Sequence, residues 1–148
     1  MKRQALWTAA IALTLAIFGM GNVLAAPAPA KPPLLGSKDY APTGRGFGSA
    51  HPKQIHNGGV ASGWVHNIRW QRWGKKVAFG VGLGHQYKPS GGYYRKHVKV
   101  RLHARRLGYC GNSNWPAYTK LKVRIEKKPG GPFTRWFSWS GTSTICEW

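Results

Sequence analysis

The sequence predicts an all-β protein: an antiparallel sandwich or small barrel of five to six strands after a disordered Pro/Gly-rich N-terminal tail. Three observations support this prediction. Apolar and polar residues alternate with period two in several runs after residue 60. Pro/Gly clusters separate these runs, and none of the runs has the 3.6-residue period of a helix. Short strands joined by frequent turns are typical of sandwiches and barrels.

The N-terminus has the features of an export signal. Lys2 and Arg3 precede an apolar run over residues 6–20, and small residues follow around Ala25. This order is typical of a cleaved signal peptide, and the run is too short for a spanning helix. We therefore expect residues 1–25 to be removed, leaving a secreted, extracellular protein with no transmembrane span.

Residues 26–59 are predicted to form a flexible tail. They are rich in Pro, Gly and Ala and show no sustained period, a composition that favours disorder over a packed core. As an alternative, the tail orders on a protein partner, with its large apolar residues as anchors: Leu34, Leu35, Tyr40 and Phe47.

Residues 60–148 are predicted to form one β domain. The first strand covers residues 64–73 and ends at a Gly-Lys-Lys turn. The second, residues 77–84, alternates an apolar row with a row of one alanine and three glycines. Glycines weaken a strand unless something packs closely on its backbone, which we expect to be tryptophan rings or else a bound ligand. Shorter strands are expected at residues 133–139 and 142–148.

The third and fourth strands are predicted to form a basic surface. In each, apolar residues alternate with basic ones, and consecutive strands are usually neighbours in a sheet. Only Glu126 is expected to interrupt the basic rows. The predicted polyanion-binding residues are Lys99, Arg101, His103, Arg105, Lys120, Lys122 and Arg124.

Charge and aromatic content indicate the class of partner. The chain has 23 Lys and Arg against 3 Asp and Glu, a formal net charge of +20. Such an imbalance opposes folding by self-repulsion and favours an anionic polymer as ligand. Where basic residues alternate with aromatic ones, sugars or bases of a ligand can stack on the rings while the cations neutralise its anionic groups. The predicted aromatic contacts are Trp70, Trp73, Tyr93, Tyr94 and Trp136.

The remaining reactive residues predict a disulfide and no metal site or cofactor. In an exported chain Cys110 and Cys146 are expected to form a bridge that closes a loop of about 35 residues. The six histidines have no HxxxH or similar metal spacing. Carboxylates are too few for a glycosidase pair. A ribonuclease using His66 or His85 with His103 is the one enzyme class left, and a non-enzyme is predicted.

The run NIRWQRWGKKVAFGVG, followed by a cysteine loop and a terminal cysteine, resembles small secreted β proteins of unassigned function from actinobacteria. The resemblance covers about residues 65–146. It implies a β fold and export, and it transfers no catalytic residue.

Together these patterns predict a secreted, cationic, tryptophan-rich protein that attaches to an anionic envelope or extracellular polymer, with antimicrobial action as one form of that role. The alternative is an adaptor subunit of a secreted multi-protein assembly, and the third hypothesis is the histidine-dependent ribonuclease.

Overall fold

The structure, a computed structural model, describes residues 31–147. The predicted signal peptide and residues 26–30 of the predicted tail lie outside the described residues. The described part is all-β, as predicted. Its strands are β1 (Leu34–Leu35), β2 (Ile55–His56), β3 (Trp64–Gln71), β4 (Val77–Gly84), β5 (Val98–Tyr109), β6 (Pro116–Ile125) and β7 (Phe137–Ser138). Short 3-10 turns occur at Lys38–Tyr40, Ala61–Gly63 and Trp139–Gly141.

The strands form one curled sheet that resembles half of a barrel. Their order is β1-β6-β5-β4-β3-β2, and β7 also pairs with β6. All pairings between these strands are antiparallel except β1 with β6, which is parallel. The strand predicted at 142–148 does not form within residues 142–147, where Ile145 instead donates its backbone N–H to Thr119. No helix within residues 31–147 is long and apolar enough to cross a membrane.

Strands β5 and β6 have one buried and one accessible row. Strict alternation along each strand sends successive side chains to opposite faces of the sheet. The apolar rows are buried beneath the basic ones and contribute much of the core: Val98, Val100, Leu102, Ala104, Leu121 and Val123.

Strand β4 turns its glycine row, not its apolar row, towards the core. Ala78 is fully buried, and Gly80, Gly82 and Gly84 are buried with it. A Cβ atom on Gly80 would lie 2.9 Å from the Trp70 ring, which confirms the predicted tryptophan packing there. At Gly82 and Gly84 the atoms nearest to an added Cβ are methyl groups of Val65 and Val100, at 2.8 and 2.9 Å. The apolar row of β4 therefore lies on the outer face.

A bulge in β3 explains which of its residues are buried. Asn67 has a positive φ of 53°, and the register with β4 shifts between His66 and Arg69. Asparagine tolerates this left-handed conformation better than most residues. The extra residue lets Val65 and Ile68 both face the core, although they stand at opposite parity in the sequence.

Residues 31–59 do not form the flexible tail that the sequence predicts. Leu35, Tyr40 and Ile55 are fully buried, and Phe47 is 8% exposed. Leu35 belongs to β1, which pairs with β6, and the Tyr40 and Phe47 rings meet edge to face at 4.7 Å. Three of the four residues expected to anchor the tail on a partner, Leu35, Tyr40 and Phe47, therefore pack in the chain's own core, and the domain begins well before residue 60.

The predicted bridge between Cys110 and Cys146 is present. It joins the residue after β5 to the C-terminal segment across a sequence separation of 36. In the chain-entropy model, closing a loop of this size stabilises the fold by about 3–4 kcal/mol.

Candidate functional site: a basic face with an aromatic centre

The predicted basic rows of β5 and β6 lie side by side on the outer face of the sheet. The register pairs Arg101 with Arg124, and the next pairs along join His103 to Lys122 and Arg105 to Lys120. Like charges directly opposite one another are destabilising in a sheet. We call this surface the basic face; its residues are Lys99, Arg101, His103, Arg105, Lys120, Lys122 and Arg124.

Strands β3 and β4 extend the basic face with residues that the sequence analysis did not assign to it. Val81 stands beside Arg101 on one side and Arg69 on the other, and Phe79 stands beside His103. Val81 is 49% exposed. The sequence contains a signal for this outward position of the apolar row of β4, namely the alternating glycines. Because a row of glycines lets core side chains pack closely on the strand, the glycine row faces inward and the apolar row faces outward.

Aromatic rings occupy the centre of the basic face. The His103 ring centroid lies 3.9 Å from that of Trp136, with the two planes tilted by 31°, and 4.6 Å from that of Phe79 in an edge-to-face contact. Arg124 lies over both Trp136 and Phe133, at 4.8 and 5.1 Å from their centroids. Arg101 lies 4.6 Å over the same Phe133 ring. These contacts hold the guanidinium groups in place by cation–π attraction.

The guanidinium groups have no acidic partners on this face. The one ion pair found within residues 31–147 joins Lys38 to Asp39. Nε of Arg124 is buried and has no hydrogen-bond partner. Glu126, expected to interrupt the basic rows, is instead 5% exposed and accepts hydrogen bonds from the backbone N–H groups of Lys99 and Gly130.

A shallow groove of about 230 Å³ runs across the aromatic centre. The guanidinium groups of Arg101 and Arg124 line it together with the rings of Phe79, His103 and Trp136. An anionic group in the groove would therefore meet cations and flat ring surfaces together. Its lining residues are Gln71, Phe79, Gly80, Val81, Arg101, Leu102, His103, Arg124 and Trp136.

His103 is held in its neutral form more strongly than an exposed histidine. Partial burial lowers its pKa, and the positive charges of Arg105 and Arg124 lower it further. At neutral pH the aromatic centre therefore offers a neutral ring beside permanently charged arginines.

The predicted aromatic contacts fall into three places. Trp136 lies on the basic face, as described above. Tyr93 and Tyr94 lie in the β4–β5 loop, where Tyr93 packs on Tyr87 with centroids 4.1 Å apart. Trp70 and Trp73 pack against the core and against each other.

The two core-side tryptophans are not the exposed contacts that were predicted. Their Nε1 groups donate to the carbonyls of Pro52 and Pro33. Trp70 and Trp73 are three positions apart and would face opposite sides of one continuous strand. They share the core side because β3 ends at Gln71 and Arg72 has a positive φ of 56°, which turns the chain before Trp73.

Three histidines that are distant in sequence meet at one end of the outer face. The ring of His97 lies 4.7 Å from His66 and 4.6 Å from His85. One ring nitrogen from each lies within 4.8 Å of the other two. Partial burial lowers the pKa of His66, with further contributions from His97 and His85. We call these residues the histidine cluster.

The ribonuclease hypothesis requires His66 or His85 to act together with His103, but the histidine cluster lies far from His103. His97 directly precedes β5, and His103 lies six residues further along it. At about 3.3 Å per residue this is roughly 20 Å. His66 and His85 therefore contact His97 and not His103, whose ring contacts Trp136 and Phe79 instead.

The exposed acidic groups lie elsewhere. Asp39 and Glu147 line a cavity of about 410 Å³ next to the disulfide, together with Lys38. This cavity is larger than the groove on the basic face, but its lining mixes both signs of charge. We place the candidate site on the basic face, where charge of one sign meets exposed rings.

Known proteins provide no functional assignment for this site. No protein-family model, curated protein or solved structure matches the chain. The resemblance to secreted actinobacterial proteins stays a prediction, and a function for the chain is inferred from its residues and their geometry.

Proposed function

We propose that this chain is a secreted binding protein that attaches to an anionic polymer of the cell envelope or its surroundings through the basic face. The observation that carries the proposal is the pair Arg101 and Arg124. Aromatic rings hold both guanidinium groups, neither group faces a carboxylate, and Nε of Arg124 is buried without a hydrogen-bond partner. An anionic group in the groove would meet both guanidinium groups and relieve the repulsion between the paired strands.

The spacing of the cations suits a repeating ligand. Alternate residues on one strand lie about 6.6–6.8 Å apart, and adjacent strands lie about 4.8 Å apart. Successive anionic groups along a polymer can therefore meet successive cations of β5 and β6. The exposed part of the aromatic centre adds contact area that is independent of salt.

Export remains part of the proposal. The disulfide supports it, because such bonds persist in oxidising compartments. The adaptor hypothesis loses its main support, because three of the four apolar anchors proposed for a protein partner, Leu35, Tyr40 and Phe47, are buried in the core.

The test is a double charge reversal, Arg101→Glu with Lys122→Glu. Both residues lie on the basic face, and reversing them reduces repulsion between β5 and β6, so the fold should persist. Binding to anionic polymers, measured at low and moderate salt, should weaken by about tenfold or more and lose part of its salt dependence, because fewer counterions are released.

The matched control is Lys38→Glu with Lys53→Glu. It makes the same change in net charge at two exposed positions that are not among the residues of the basic face. Under the proposal this control binds almost as wild type does. If both double variants lose affinity equally, net charge and not the basic face governs binding, and the assignment of the site is wrong.

A further inference from the structure

The three residues of the histidine cluster come together through the sheet and not through a sequence motif. His66 lies on β3 opposite Leu83. His85 directly follows β4, and His97 directly precedes β5. The last pair of these two strands is Gly84 with Val98. One residue beyond it, His85 and His97 point to the outer face, where they meet His66.

The loop that joins β4 to β5 holds two of these histidines in position. The ring centroids of Tyr87 and Tyr93 lie 4.1 Å apart, and the backbones of these two residues pair in an isolated antiparallel β-bridge. Tyr94 donates its backbone N–H to Gln86, and Lys88 donates to Gly92. The ends of the loop are therefore fixed by the hairpin itself, and no large rearrangement is needed to present His85 and His97.

We infer that His66, His85 and His97 form a binding site for a divalent transition metal, with Zn²⁺ as the best fit. Three imidazole nitrogens and an open fourth position are a common zinc ligand set, with Zn–N distances of about 2.0–2.1 Å. Tetrahedral geometry at these bond lengths places the nitrogens about 3.3 Å apart. The present separations, all within 4.8 Å, require only small side-chain rotations to reach it.

The choice of metal follows from the donors. Imidazole suits zinc, copper and nickel, whereas Ca²⁺ and Mg²⁺ require oxygen ligands. Both cysteines are in the disulfide, so no thiolate is available as a ligand for the site. His97 is exposed and the other two are half-buried, so the open position faces solvent and can be occupied by water.

The experiment is a titration of the untagged, metal-free protein with Zn²⁺ by calorimetry. We expect one equivalent to bind with saturation and the melting temperature to rise with Zn²⁺ concentration. His85→Ala and His97→Ala should each lower the affinity at least about tenfold. Both positions are accessible, so these variants should keep the β-sheet circular dichroism spectrum of wild type without metal.

The matched control is His51→Asn. His51 is exposed, packs on Trp73 and has a positive φ that asparagine accepts. It should bind Zn²⁺ as wild type does, and Co²⁺ should give the same pattern across the variants by visible absorption. The inference is overturned if no one-equivalent site saturates, if either cluster variant loses less than tenfold, or if His51→Asn loses as much as they do.

Discussion

At Gly80 the lack of a side chain lets the Trp70 ring lie directly on strand β4. The nearest ring atoms are 2.9 and 3.0 Å from an idealised Cβ, and a methyl group of Ile68 is 3.2 Å away. Trp70 cannot easily withdraw, because its Nε1 donates to the carbonyl of Pro52 at 2.8 Å. Gly80 therefore helps to turn the glycine row of β4 towards the core. As a result, the apolar row of β4 lies on the outer face, beside the arginines.

We predict that Gly80→Ala lowers the free energy of unfolding by about 1–3 kcal/mol, the usual cost of overpacking a core. Urea denaturation followed by tryptophan fluorescence measures this change. Gly108→Ala is the control, since an added Cβ there meets only a methyl group of Thr119 at 3.7 Å. Equal losses in the two variants would show that the Trp70 contact does not set the conformation of β4.

Single residues also mark what the sequence does not reveal. The alternation on β5 and β6 predicts the basic face correctly, because no residue interrupts the period between Val98 and Arg105. The bulge at Asn67 and the turn at Arg72 depend on backbone conformations that alternation does not encode. Alternation alone therefore does not show that Val65 and Ile68 both face the core, or that Trp70 and Trp73 both pack against it.

Among the elements, β1 shows how a short segment completes a core. Leu35 is fully buried, while its neighbour Leu34 is only half-buried. The content of Pro, Gly and Ala and the lack of a sustained period predicted a flexible tail for this region. Composition alone does not show that a few large residues are enough to order such a segment when a sheet already provides the surface on which they pack.

We predict that Leu35→Ala lowers the free energy of unfolding by about 2–5 kcal/mol, the range for removing a buried leucine side chain. Thermal and urea denaturation of the variant measure the loss. Leu34→Ala in the same strand is the comparison and should cost clearly less. A stability change at Leu35 no greater than that at Leu34 would contradict the packing of β1 on the core.

Sheet pairing likewise explains why the histidine cluster was not predicted. Motif searches rely on ligands a few residues apart, whereas these three are spread over more than 30 positions, one on β3 and two at the ends of the loop that joins β4 to β5. Only the register of β3, β4 and β5 brings them together.

On the scale of the whole molecule, charge couples stability to pH through His103. Its pKa is lowered in the folded protein by burial and by Arg105 and Arg124, and Lys122 stands opposite it. An unfolded chain protonates the same ring at its usual pKa of about 6.5. As pH falls through this value the unfolded state takes up the proton first, so stability decreases towards acid pH and His103 has no effect well above it.

We predict that His103→Phe loses less stability than wild type between pH 7 and pH 5. Phenylalanine keeps a flat ring against Trp136 but cannot be protonated. Urea unfolding at the two pH values gives the comparison. An identical loss in both proteins would mean that the environment of His103 does not disfavour its charged form.

The disulfide has a consequence for survival among proteases. Residues 111–145 lie within its covalent loop, which includes β6, β7 and the exposed turn around Lys127 and Lys128. A peptide bond cut in that turn would leave two fragments still joined through Cys110 and Cys146. Strands β5 and β6 would remain intact, so the nicked molecule can keep its basic face and would separate into pieces only under reducing conditions.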